Sequence, residues 1–175
     1  MNKQFLTIAV FIVFAVICIK TYAQDDMTPP KPVDNKVLDA MVGDWVGESD
    51  MMGMKFNDEI KNYWSMNHQY IIMDVNQVMK DNPQMKFSGM GILGIDKDGN
   101  PVMWWFDDWG APAMMTGTGN FDGMKCHMMS TNAMGKDDRV ISFKNGDMVM
   151  TWNSSMIGKD GKEMKMNGET VYKKK

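Results

Sequence analysis

The sequence predicts an all-β fold: a single antiparallel up-and-down β-barrel of about ten strands, preceded by a short helical turn. Three observations predict it. The first is alternation. In "KEMKMNGETVY", Met164, Met166, Gly168, Thr170 and Tyr172 share one face, and Glu163, Lys165, Asn167, Glu169 and Lys173 share the other. That period of two describes a strand with one buried face. The second is turn chemistry. Asp122-Gly123 and Asn145-Gly146 are two-residue hairpin signals, and "KDGN" at 97–100 and "KDGK" at 159–162 mark further turns. The third is spacing. The gaps between apolar runs are too short for helical crossovers, so neighbouring strands pair antiparallel, and a sheet of ten removes its edges by closing on itself.

The elements follow in order. Residues 24–36, "QDDMTPPKPVDNK", read as a flexible lead-in, and "VLDAMV" at 37–42 as a short helical turn. The barrel domain is expected over 37–175, with strands at 44–49, 55–64, 69–79, 86–95, 102–107, 113–121, 124–131, 138–144, 147–156 and 162–173. "KFNDEIKNYW" turns Phe56, Ile60 and Trp64 inward and carries Asp58 and Asn62 on the same face. "DMVMTWNSSM" places Met148, Met150 and Trp152 together. In "GMKCHMM", Met124, Cys126 and Met128 point one way, while Lys125, His127 and Met129 point to solvent. Trp104 and Trp105 face opposite sides of a regular strand, and Trp104 is assigned to the inner wall.

The first 23 residues stand outside this pattern. Lys3 supplies a positive start, "FLTIAVFIVFAVICI" an apolar run, and Thr21 and Ala23 small residues before a cleavage point, the pattern of a secretory signal peptide at 1–23. The apolar run is shorter than the ~20 residues that span a bilayer, so no stable membrane span is expected after cleavage. The protein is therefore expected to be exported, to a periplasmic or extracellular site. Loss of Lys3 and Lys20 takes the net charge from −3 to −5. A chain this acidic is a poor partner for nucleic acid, which needs a basic face. Cys18 leaves with the signal and Cys126 remains alone, with no internal disulfide available. The chain has 23 methionines, one of them Met1, and after residue 23 only two leucines, Leu38 and Leu93. Methionine thus stands where leucine is usual, a swap that conserves volume and leaves a filled but adaptable core.

"GDW" at 43–45 opens the first strand, and "LDAMVGDWVGES" and "GMGILGIDKDGNPVMWWFDDWG" (89–110) accompany it. Together these resemble the bacterial domain-of-unknown-function family 1579, a lipocalin-like group of the calycin superfamily, over residues 36–173. The resemblance implies a barrel with an interior cavity. It also implies that Trp45 closes the base against a basic residue of the last strand, for which Lys173 is the candidate. It brings no activity and no catalytic residue. The chain departs from the pattern before its third strand, where "MNHQYI" stands in place of a glycine and an arginine. In a related branch, the nitrobindins, a late histidine binds haem. His68 and His127 are the only histidines here, so no cofactor is expected.

The inward polar residues Asp58, Asn62 and Asn132 and the glycine pairs Gly89/Gly91 and Gly117/Gly119 suggest interior space, because a dry core rejects unpaired polar groups. The expected function is binding of a small, largely apolar ligand by Asp58, Asn62, Trp104, Met124, Cys126, Met128, Met150, Trp152 and Met166. Two alternatives stay open: a methionine-rich Cu(I) binder or oxidant sink, and a small enzyme using cavity carboxylates. Met51, Met52 and Met54 fall in the first connection, where a mouth cap, a partner contact or oxidation would each suit them. No triad, phosphate loop or zinc spacing is present.

Overall fold

The computed structural model describes residues 29–158 and 160–175. Among the described residues one α-helix, α1 (Lys36–Met41), precedes ten strands: β1 (Gly43–Met51), β2 (Met54–Ser65), β3 (Tyr70–Met79), β4 (Lys86–Ile95), β5 (Pro101–Asp107), β6 (Met115–Asp122), β7 (Lys125–Asn132), β8 (Gly135–Lys144), β9 (Asp147–Ile157) and β10 (Glu163–Lys174). Every strand pairs antiparallel with its sequence neighbours, and β1 also pairs with β10, through Trp45↔Lys174 and Val46↔Lys173, which closes the ring. The expected signal peptide and residues 24–28 of the lead-in lie outside the described residues.

Turn chemistry sets the register. Asn145 and Gly146 take φ of 54° and 86°, as a two-residue mirror-image turn requires. The turn expected at Asp122-Gly123 falls one residue later. Asp122 pairs with Lys125, so Gly123 and Met124 form the loop and Met124 is exposed. The inward position expected for Met124 is therefore overturned. Met52 and Gly53 close the β1–β2 hairpin with φ of 56° and 83°, and Asp50 Oδ1 accepts from the Gly53 N–H at 2.8 Å. Two strand starts also shift by more than one residue. Pro112 lies in a short 3-10 turn, Ala111–Ala113, so β6 begins at Met115. Asn132 pairs with Gly135, so β8 begins three residues before its expected start.

The lead-in gains structure before residue 36. Val33 N–H donates to the His68 carbonyl at 3.0 Å. Asn35 caps α1, its Oδ1 accepting from the Val37 and Leu38 N–H groups at 3.0 and 3.1 Å. The helix then buries Val37, Leu38 and Met41 at one end of the barrel. There they meet Trp45, Ile60, Ile71, Leu93, Cys126 and Ile141 in one apolar cluster. The Met41 carbonyl, at the end of the helix, accepts from Trp45 Nε1 at 2.8 Å and from Asn62 Nδ2 at 2.9 Å. Two strands thus hold the helix as a plug by one atom.

Trp45 does meet a basic side chain of the last strand, but a different one from that expected. Lys174 Nζ lies 5.3 Å from the ring centroid, whereas Lys173 points outward and pairs with Asp147. Lys174 has the parity of Tyr172 and Thr170, both buried, and so shares their face.

Candidate functional site

A cavity of about 30 Å³ lies midway along the barrel. Six methionines from five elements line it: Met41, Met73, Met103, Met128, Met148 and Met150. Ile60, Leu93 and Ile141 complete its base, and Val75 and Trp105 its upper wall. Only two polar side chains join them, Asn62 and Arg139. The base residues are buried, while Val75, Trp105, Arg139 and Met150 are half-buried, so solvent approaches from the end away from α1. The volume matches one or two water-sized spheres. A larger guest enters only if side chains move, and methionine, with three rotatable bonds, is the side chain best able to do so.

Asn62 holds the most distinctive atom of the site. Its side chain is buried, Nδ2 is committed to the Met41 carbonyl, and Oδ1 has no hydrogen-bond partner among the described residues. Trp105 forms the roof. Its Nε1 donates to Asp107 Oδ2 at 3.0 Å. A Cβ on Gly89 would lie 2.2 Å from the indole, and one on Gly91 would lie 2.3 Å from the Met73 methyl and 3.4 Å from the indole, so the ring covers Gly89 and shares Gly91 with Met73. The space expected from this glycine pair is filled by the protein's own Trp105 and Met73. Gly117 likewise yields to the Ser130 side chain, whose Oγ would lie 2.3 Å from an added Cβ.

Beyond the cavity, two polar clusters occupy the inner wall. Asp58 is buried and accepts three hydrogen bonds: from Ser49 at 3.0 Å and Gln77 at 2.9 Å on Oδ1, and from Tyr172 at 3.1 Å on Oδ2. Burial pushes the Asp58 carboxyl above its ordinary value, and the three donors pull against that rise. Burial, with the neighbouring Asp58 charge, pushes the Tyr172 hydroxyl up. In the second cluster Asp137 accepts from Ser154 and pairs with Arg139, whose Nε and Nη2 lie 3.1 and 3.3 Å from its oxygens. Both carboxylates are thus fully engaged by side chains of this chain.

The residues expected to bind ligand separate into four groups. Asn62, Met128 and Met150 line the cavity. Asp58 and Cys126 are buried on the inner face without lining it, and burial pushes the Cys126 thiol up to about 12. Trp152 and Met166 are half-buried on the inner face of the far end, Trp152 lying across Gly168. Trp104 and Met124 lie outside: Trp104 on the outer surface, where Thr116 and Ile92 flank it, and Met124 in its turn. The inward assignment of Trp104 is corrected to Trp105. Asn132 closes a turn, its Oδ1 accepting from the Met134 and Gly135 N–H groups and its Nδ2 donating to the Ala113 carbonyl.

The sulfur trio Met124, Cys126 and Met128 does not assemble, because its first member is in the turn. His127 faces outward, with Nε2 2.5 Å from Asp138, and His68 stacks on Trp64. Among the described residues no group of three or more His, Cys, Asp or Glu side chains is arranged to hold a metal ion. No described helix is long and apolar enough to cross a membrane. Arg139 was not anticipated, although it is the only arginine in the sequence and shares the parity of Ile141 and Phe143. No protein-family model matches this chain, and no curated protein matches it either.

Proposed function

We propose that this protein is an exported, lipocalin-like barrel that carries a small, largely apolar molecule in its interior. The likeness to domain-of-unknown-function family 1579 belongs to this reading, as does removal of residues 1–23 on export. One observation carries it: the cavity is walled by six thioethers and a flat indole, and its one buried amide leaves an acceptor unpaired. A side-chain wall of this kind repacks around a guest at low cost, because methionine adapts its shape. The test is gentle native mass spectrometry of the purified full chain, with organic extraction of what it releases. About one equivalent of an organic molecule is expected, and less in Val75→Phe, which fills the upper wall. Release of nothing organic under any growth condition would end the proposal.

A second reading rests on a different surface. Met52, Met66, Met85, Met124 and Met129 are all exposed, with Met52 and Met66 each at 68%. Thioethers placed so are open to oxidation to the sulfoxide while the buried ones are shielded. In this reading the outer methionines consume oxidant. Peptide mapping after graded peroxide is expected to show these five oxidised first, with the fold retained; early oxidation of Met41 or Met148 instead would count against it.

A further inference from the structure

We infer that the cavity selects an apolar molecule whose buried end donates a hydrogen bond and carries no negative charge, over the carboxylic acid of the same skeleton; this rests on the interior-binding reading above. Asn62 is the reason. Its Nδ2 donates to the Met41 carbonyl, which fixes the amide. Turning the amide over would set Oδ1 against that carbonyl oxygen, two acceptors in contact. Oδ1 is therefore the atom left facing away from the helix, buried and without a partner among the described residues. A hydroxyl or neutral N–H placed there satisfies it. A carboxylate, which only accepts, cannot.

Charge points the same way. Arg139 is the only arginine of the chain and lines the cavity; its charge is offset by Asp137, to which Nη2 donates at 3.3 Å, while Nε lies 3.1 Å from the same carboxylate without a directed hydrogen bond. Asp58 adds a second buried carboxylate, on the same strand face as Ile60 and Asn62. With both carboxyls ionised, these three groups sum to one negative charge, so an anionic guest meets repulsion as well as desolvation. The methionines supply no donor to offset it, since a thioether is only a weak acceptor.

Three probes of similar size test this on the purified full chain: phenol, toluene and benzoate, titrated at neutral pH while the methionine methyl groups are followed by ¹³C NMR. Phenol is expected to shift the methyls of Met73, Met103, Met128 and Met150 saturably, and benzoate to bind at least tenfold more weakly. In Asn62→Leu the phenol-to-toluene affinity ratio is expected to fall at least tenfold. Benzoate binding as tightly as phenol overturns the inference, and this comparison decides without the variant if Asn62→Leu does not fold. An unchanged phenol-to-toluene ratio in a folded Asn62→Leu overturns it too, and leaves interior binding standing because toluene still binds. No methyl shift with any of the three overturns both.

Discussion

At the α1 end, the strands turn Trp45, Ile60, Ile71, Leu93, Met103 and Ile141 inward, and these pack with the helix into a dry cluster. At the other end the same strands present Ser49, Asp58, Gln77, Asp137, Arg139 and Ser154. Side chains at the base make apolar contacts whose stabilisation scales with the area removed from water. Those at the far end are held by hydrogen bonds whose net contribution is small when made and whose loss is expensive. The cavity lies where one regime gives way to the other, and Asn62, one inward position nearer α1 than Ile60, is a polar residue set among the apolar side chains of the base. Its orphan acceptor is the unmatched polar atom at that end. The difference teaches that base and far end fail differently under substitution.

The largest effect is expected at the base. Trp45→Ala removes a buried ring and the donor to the Met41 carbonyl, and is expected to cost about 3–5 kcal/mol in denaturant unfolding. A loss below one kilocalorie would mean that the helix does not depend on Trp45. At the far end, Asp58→Ala leaves the Ser49, Gln77 and Tyr172 donors without their acceptor, and a loss of about 2–4 kcal/mol is expected. Asp58→Asn keeps an acceptor for two of them and is expected to cost clearly less. If the two variants lose equally, the carboxylate charge rather than the hydrogen bonds holds that end.

Asp58 also sharpens the contrast through pH. Its folded pKa is raised above 3.8, so the native state holds this proton more tightly than the unfolded chain does. Its contribution to stability is therefore full below 3.8 and is lost as pH rises through the raised value. Glu48 and Asp96, exposed and shifted down, act in the opposite sense. The difference between wild type and Asp58→Asn isolates the buried group: wild type is expected to lose stability relative to the variant as pH rises through this window. A flat difference curve would remove Asp58 as the source.

Two smaller effects complete the series. Gly89→Ala drives a methyl into the Trp105 ring and is expected to cost about 1–3 kcal/mol, with a shift in tryptophan emission as the indole leaves its seat. Unchanged emission would mean that the backbone yields instead. Lys174→Met removes the cation from the Trp45 face and is expected to cost about 0.5–1 kcal/mol, with Lys173→Met costing less. The reverse order would restore Lys173 as the closing residue.

Alternation and turn dipeptides made the ten strands and their order legible, because both are local. What they do not carry is the choice between two equivalent faces. Trp104 and Trp105 are both aromatic neighbours in one strand, and only pairing with β4 decides between them, since Gly91 is the residue opposite Trp105. The pattern of β10 already placed Lys174 with Tyr172, so the resemblance to a family motif, rather than the alternation, led to Lys173. Met124 was misplaced because an Asp-Gly signal marks a turn without fixing which two residues form it. The cavity was least legible. Its walls come from strands far apart in sequence, and its key atom, Asn62 Oδ1, is defined by the bond its neighbouring nitrogen makes to a helix twenty-one residues away.

The β1–β10 seam joins the first strand to the last. A chain emerging from its amino end can zip hairpin after hairpin, yet one edge of β1 stays without a neighbour until residues near 173 and 174 arrive. Such long-range closure is slow, and an exposed strand edge invites pairing with another molecule. The interior therefore comes into being only with the final dozen residues, and a chain shortened by those residues would be an open, adhesive sheet with nothing to enclose.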